Sequence, residues 1–135
     1  MRSLIVEDDF SSRLLLQELL APYGECHIAV NGREAVSAYG MALDAGQPYD
    51  LVCLDIMMPE MDGHAALKEI RALEELKGMD SALRAKIVMI TALGDIKSVS
   101  AAYQQLCDGY LVKPVEGAKL LGLLHELKVL KRGTP

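Results

Sequence analysis

The chain has 135 residues, 51% of them hydrophobic and 24% charged, and carries a net charge of −5. That is one domain with a full core, and its acidic balance with scattered Lys and Arg excludes a nucleic-acid-binding face and an anionic membrane surface. No apolar run reaches membrane-spanning length, the run after Met1-Arg2-Ser3 is too short for a signal peptide, and Cys26, Cys53 and Cys107 read as buried reduced thiols, so a cytoplasmic protein is expected.

Ser3 to Val6 reads as a buried strand closed by three acids, Glu7, Asp8 and Asp9. Leu14, Leu15, Leu16, Leu19 and Leu20 predict the apolar face of a first helix, which Pro22 and Gly24 end. Glu25 to Val30 is a weaker strand, followed by an Asn31-Gly32 turn. A second helix runs from Arg33 to about Ala45, with Ala35, Val36, Tyr39 and Leu43 inward. Leu51 to Leu54 is a third strand that stops abruptly at a carboxylate, Asp55. Pro59 and the Asp62-Gly63 turn separate it from a third helix, His64 to about Leu76, with Ala65, Leu67, Ile70 and Leu73 at helical spacing.

Gly78 to Arg84 is a polar connection, either without a regular element or continuing the third helix irregularly. Ala85 to Thr91 is a fourth strand, and Gly94-Asp95 opens a short helix to about Gln105. Asp108 to Val112 is a fifth strand that delivers Lys113-Pro114. Glu116 to about Lys131 is a closing helix with Leu120, Leu123, Leu124, Leu127 and Leu130 inward. Strands separated by helical patterns predict an α/β fold, (βα)5, with a five-stranded parallel sheet and helices on both faces.

In such a sheet all carboxyl ends share one edge. Glu7 and Asp8 follow the first strand, Asp55 ends the third, Thr91 the fourth, and Lys113 follows the fifth. Any one of these has a structural explanation, such as a helix cap; their coincidence at one edge makes a site. Three clustered carboxylates call for a cation, and hard oxygen ligands suit Mg²⁺, or Mn²⁺ in its place. A carboxylate beside that metal, flanked by Lys and Thr, is able to accept a phosphoryl group.

With Val-Glu-Asp-Asp, Leu-Asp-Ile-Met-Met-Pro-Glu-Met-Asp-Gly, Ile-Thr-Ala and Tyr-Leu-Val-Lys-Pro in place, the whole chain resembles a two-component response-regulator receiver domain of the stand-alone, CheY-like form. The resemblance implies a doubly wound, flavodoxin-like sheet in the order 2-1-3-4-5. It implies that Asp55 is the phosphoacceptor, Asp8 the direct metal ligand and Glu7 the acid that reaches the metal through water. Counting from the apolar strand puts Glu7 and Asp8 in the pair and leaves Asp9 as a neighbour or helix cap; Asp8 and Asp9 is the other register. The backbone carbonyl of Met57 is implied as a further metal ligand, Lys113 as the phosphoryl-binding lysine, Thr91 and Tyr110 as the switch pair, and a cis bond at Lys113-Pro114.

By the same resemblance the domain catalyses its own phosphorylation and dephosphorylation without being a conventional enzyme. Its donor is a histidine kinase or phosphotransfer protein, and its readout face spans about Asp95 to Lys131, toward a downstream protein. A monomer or a phosphorylation-dependent dimer is implied. Met57 and Leu93 stand where receivers tune the hydrolytic water; both are apolar here, which predicts slow self-dephosphorylation. Residues 1–135 are expected to form a single receiver without an output domain, since only Lys131 to Pro135 follow the last predicted helix.

Three rivals are weaker. A haloacid-dehalogenase-type phosphatase wants a second Asp where Met57 stands. A flavin binder wants a Ser/Thr/Gly-rich phosphate loop where this chain has acids. A phosphorylation-independent receiver-like interaction domain is the alternative function; it tolerates loss of Asp55, Thr91 or Lys113, and all three are present.

Overall fold

The computed structural model of the chain describes residues 1–58, 61–92 and 106–130. Five parallel strands, β1 (Ser3–Val6), β2 (Cys26–Ala29), β3 (Leu51–Asp55), β4 (Lys86–Thr91) and β5 (Gly109–Val112), form one sheet in the order β2-β1-β3-β4-β5. Four described helices flank it: α1 (Phe10–Leu20), α2 (Gly32–Asp44), α3 (Gly63–Leu76) and α4 (Gly117–Glu126). The architecture is the doubly wound, CheY-like arrangement expected from the motifs. The predicted helix from Gly94 to Gln105 lies outside the described residues.

Alternation along each strand sorts the core into two layers. Leu4, Val6, Val52, Leu54, Ile87 and Met89 pack toward Tyr39 of α2 and Leu67 and Ile70 of α3. Ile5, Cys53, Val88 and Ile90 face the other way, against Leu16 and Leu20 of α1 and Leu120 and Leu124 of α4. With both faces covered, every residue of β1 and β3 is buried, which is why these strands read as unbroken apolar runs.

Local signals place the helix ends. Asp9, Asn31 and Asp62 each extend into β-region backbone and accept a hydrogen bond from the third residue on, Ser12, Glu34 and Ala65, at 2.9, 2.8 and 2.9 Å. Gly46 and Gly78, at φ of +70° and +64°, close α2 and α3 by reversed hydrogen bonds to the last turn. The closing helix stops at Glu126, short of the predicted Lys131. Lys128 there takes φ +63°, its N–H bonds the His125 carbonyl and Val129 N–H bonds Leu124, each at 3.0 Å. This is the same glycine-type stop without a glycine, so nothing in the residue types announced it.

Other expectations shift in detail. Leu14 and Leu15 are exposed and only Leu16 and Leu20 of the first stripe are buried, because α1 presents a narrower face than five leucines suggest. On α2 Ala42 is buried while Val36 and Leu43 are half-buried; on α3 Ala66 goes inside and Ala65 is exposed. The connection at Gly78 to Arg84 contains a 3₁₀ turn at Ser81–Leu83. Cys53 is buried, whereas Cys26 and Cys107 are half-buried, and none of the three is in a disulfide among the described residues.

Candidate functional site

The carboxyl ends of β1, β3, β4 and β5 line one edge, and short backbone bonds continue the ladders past them. Ile56 N–H donates to Ile90 (3.0 Å), Lys113 N–H to Thr91 (2.8 Å) and Glu7 N–H to Ala29 (3.0 Å). The residues just beyond each strand are thereby held as firmly as the strands. Behind Asp55 the return of the chain is tight: a Cβ on Gly63 would strike the Asp55 carbonyl and Ile56 Cα, and one on Gly32 would strike the Met61 carbonyl. Only glycine at these two places lets the loop after β3 close against the edge.

Glu7 is wholly buried, Asp55 is 4% exposed, and Asp8 is exposed. One oxygen of each lies within 4.8 Å of the others. Lys113 reaches between the two buried acids, with Nζ 2.8 Å from Glu7 Oε1 and 3.2 Å from Asp55 Oδ2. Asp55 Oδ1 also accepts the Met57 N–H at 3.2 Å. Asp9 is turned away: its carboxylate caps α1, and hydrogen bonding with Ser12 holds its pKa below the ordinary value. Glu7 and Asp8 are therefore the acids that come together with Asp55.

The electrostatics leave the cluster short of positive charge. Two carboxylate oxygens no more than 4.8 Å apart repel by roughly 3 kcal/mol or more at an effective dielectric near 20. Burial pushes the Glu7 carboxyl up to about 6, with Asp55 adding to the rise and Lys113 working against it. Burial lowers the Lys113 pKa, but Glu7 and Asp55 outweigh it and the ammonium is held above its usual value. One half-buried lysine does not neutralise three acids. An all-oxygen donor set open to solvent on the Asp8 side fits Mg²⁺, or Mn²⁺.

Thr91 is 1% exposed and its hydroxyl donates to the Ala92 carbonyl at 3.2 Å. Tyr110, on the neighbouring strand, is 45% exposed. Met57 is 64% exposed at the rim, and the Lys113-Pro114 bond is cis. Leu93 lies outside the described residues, as does part of the face from Asp95 to Lys131. A cavity of about 380 Å³ adjoins the cluster, lined by Glu7, Ser12, Leu15, Leu16, Lys113 and Pro114. A larger one, about 560 Å³, opens between Met1, Asp50, Arg84, Lys86 and Lys128. It lies at the opposite edge and gathers no group that the acidic cluster uses.

Residue types at the strand ends did not point to Arg13, whose Nη1 supports the Glu7 carbonyl at 3.3 Å, nor to a polar network around Arg71 and Glu74. Glu74 had a legible signal: it falls four residues after Ile70 and seven after Leu67, on the buried stripe of α3.

A family model described as the response regulator receiver domain matches residues 3–125. The chain belongs to that family. This receiver is 34% identical over 133 residues to the sensory/regulatory protein RpfC of Xanthomonas campestris pv. campestris, which covers 98% of this chain but only 17% of RpfC. It is 33% identical over 127 residues to the chemotaxis protein CheY of Bacillus subtilis, covering 93% of this chain and 95% of that protein. A chain of the CheX-CheY-BeF3-Mg²⁺ complex from Borrelia burgdorferi superposes on the receiver with a TM-score of 0.77 at 29% identity, over 96% of this chain and 90% of that one. Receivers are the phosphorylation-controlled switches of two-component signalling, and no described helix of this one is long and apolar enough to cross a membrane.

Proposed function

We propose that this receiver accepts a phosphoryl group on Asp55 from a histidine kinase or a histidine phosphotransfer protein. The observation that carries the reading is the placement of Lys113 Nζ between Glu7 and Asp55, beside the exposed Asp8. Asp55 is nearly buried yet keeps one oxygen near Met57 N–H and one near Lys113, so its carboxylate is oriented for attack. An Asp55 oxygen forms the new bond to phosphorus as the bond from phosphorus to the donor's imidazole nitrogen breaks, and the imidazole leaves. Lys113 follows the oxygens of the transferred group, whose charge it offsets.

Glu7, Asp8, Asp55 and the Met57 carbonyl would hold Mg²⁺ or Mn²⁺, which supplies cationic charge for the phosphoryl oxygens. The new acyl phosphate adds charge and acceptors next to Thr91. Thr91 moves toward them and Tyr110 turns from its exposed position into the space released, which shifts the population between two packings.

The donor approaches over α1, where Phe10, Leu14 and Leu15 form an exposed apolar patch beside the 380 Å³ cavity that opens onto Glu7 and Lys113. The downstream protein reads the face of about Asp95 to Lys131, which includes exposed Tyr110 and a cavity of about 300 Å³ among Tyr110, Val112, Pro114 and Lys119. A kinase-fed switch of this kind works in the cytoplasm.

Self-dephosphorylation is slow, because the exposed Met57 thioether at the rim does not hold a water in line with phosphorus, and Leu93 is equally apolar. Two measurements test these statements. Acetyl phosphate should place a base-labile label on the wild type and none on Asp55→Asn; label that persists elsewhere overturns the assignment. Phosphoryl decay should accelerate about tenfold or more in Met57→Asn/Leu93→Glu, and an unchanged decay refutes the role of the two apolar side chains.

A further inference from the structure

At the edge of the sheet opposite Asp55, Arg71 of α3 bonds through every nitrogen of its guanidinium. Nε donates to the Leu106 carbonyl at 2.7 Å, Nη1 to Glu74 Oε1 at 2.7 Å and the Ala85 carbonyl at 2.9 Å, and Nη2 to Asp108 Oδ2 at 2.9 Å. These acceptors stand on α3 itself, on the residue before β4, and on the turn that enters β5. Asp108 adds a two-way bond to β4: its N–H donates to the Ile87 carbonyl and its Oδ2 accepts the Ile87 N–H, both at 2.8 Å.

Glu74 is wholly buried and completes the unit, accepting the Tyr39 hydroxyl at 2.5 Å and the Ala85 N–H at 3.0 Å. A buried carboxylate needs its cation, and a polar network with its members paired is rigid. A planar fork meets four acceptors in three directions; a lysine ammonium does not.

The network grips β4 and β5 at their amino ends, while Thr91 and Lys113 stand at the other. Thr91 lies five residues beyond Lys86, roughly 17 Å along the strand. Tyr110 is two residues past Asp108, and in the ladder Thr91 pairs with Val112 and Met89 with Tyr110. The Arg71-held Asp108 carboxylate thus adds side-chain bonds at the start of a β4–β5 ladder whose other end carries Thr91 and Val112.

We propose that Arg71 is a positioning residue for the phosphorylation switch: its guanidinium anchors the amino ends of β4 and β5, so that displacement of Thr91 is delivered to Tyr110 rather than lost as slippage of β5. This rests on the roles of Asp55, Thr91 and Tyr110 proposed above. The chemistry of transfer is left to the opposite edge, so an anchor variant separates phosphorylation from response.

The test uses the full chain with ¹³C-labelled tyrosine, Tyr110 being assigned through Tyr110→Phe. Wild type, Arg71→Lys and Asp108→Asn are phosphorylated with acetyl phosphate and Mg²⁺, and the Tyr110 shift change is divided by the phosphoryl occupancy of Asp55. Arg71→Lys should reach wild-type occupancy while its normalised Tyr110 response falls at least threefold. Asp108→Asn keeps an oxygen for Ile87 N–H but loses the ion pair, and its response should fall about twofold; it carries the test alone if Arg71→Lys does not fold. An anchor that serves stability only would lower the melting temperature and leave the normalised response intact. Failure of the wild type to be labelled on Asp55 would strike the proposed function instead, and a full Tyr110 response in the folded variants overturns the anchor.

Discussion

Replacing Glu7 with Gln probes the charge balance of the acidic cluster most directly. Glu7 is wholly buried, and burial with Asp55 beside it raises its carboxyl to about 6 despite Lys113. Only the ionised form draws the cation, directly or through a bound water, so a proton and a divalent cation compete for it. Because the pKa is raised, affinity for the cation is present above pH 6 and is lost as pH falls through that value. For a single group titrating near 6, the ionised fraction drops from roughly 0.9 at pH 7 to roughly 0.1 at pH 5. Mg²⁺ should therefore bind about tenfold more weakly at pH 5 than at pH 7 through this group alone, a loss of about 1.4 kcal/mol. Isothermal calorimetry of Mg²⁺ binding at pH 5, 6 and 7 measures it, with Glu7→Gln as reference. The variant should bind more weakly at pH 7 and lack the tenfold component. If both proteins lose affinity in parallel, Glu7 is not the titrating ligand and the reasoning is wrong.

Two further changes follow from the packing. Tyr39→Phe keeps the buried ring but removes the hydroxyl that Glu74 accepts. Loss of a hydrogen bond to a charged group should cost about 1.5–3 kcal/mol, read as a lower urea midpoint at unchanged slope; a change below about 0.5 kcal/mol would contradict it. Lys128→Gly should stabilise, because a left-handed non-glycine residue costs about 1–2 kcal/mol and the added freedom of glycine in the unfolded chain returns part of that. The melting temperature should rise by about 2–4 °C, and no rise would mean that Lys128 is held there by contacts worth as much as the strain.

Much of this receiver is legible in its amino-acid sequence. The sequence places strands β1, β3 and β4 within one residue, because a strand buried on both faces must be an apolar run, and these runs stop at polar residues, two of them carboxylates. Asp9 is legible as a helix cap, whereas Asn31 and Asp62, read as turn residues, also cap α2 and α3 through side chains that accept from Glu34 and Ala65. The parallel topology followed from the alternation of strand and helix, and with it the meeting of Glu7, Asp8, Asp55, Thr91 and Lys113 at one edge.

What depended on the tertiary structure was everything set by distance rather than by pattern. Periodicity marks an apolar helix face but not how wide a strip of it the sheet covers, so Leu14 and Leu15 remained outside. The stop of α4 at Lys128 rests on a backbone conformation that residue type does not announce. Arg71, Glu74 and Asp108 are ordinary charged residues in the chain, 3 to 37 positions apart, and acquire meaning only when folding removes water from between them. Local chemistry thus determined which elements form and which edge holds the acids. The low-dielectric interior, where a charge must find its partner or pay in stability, decided how the acids share Lys113 and what grips the other end of the sheet.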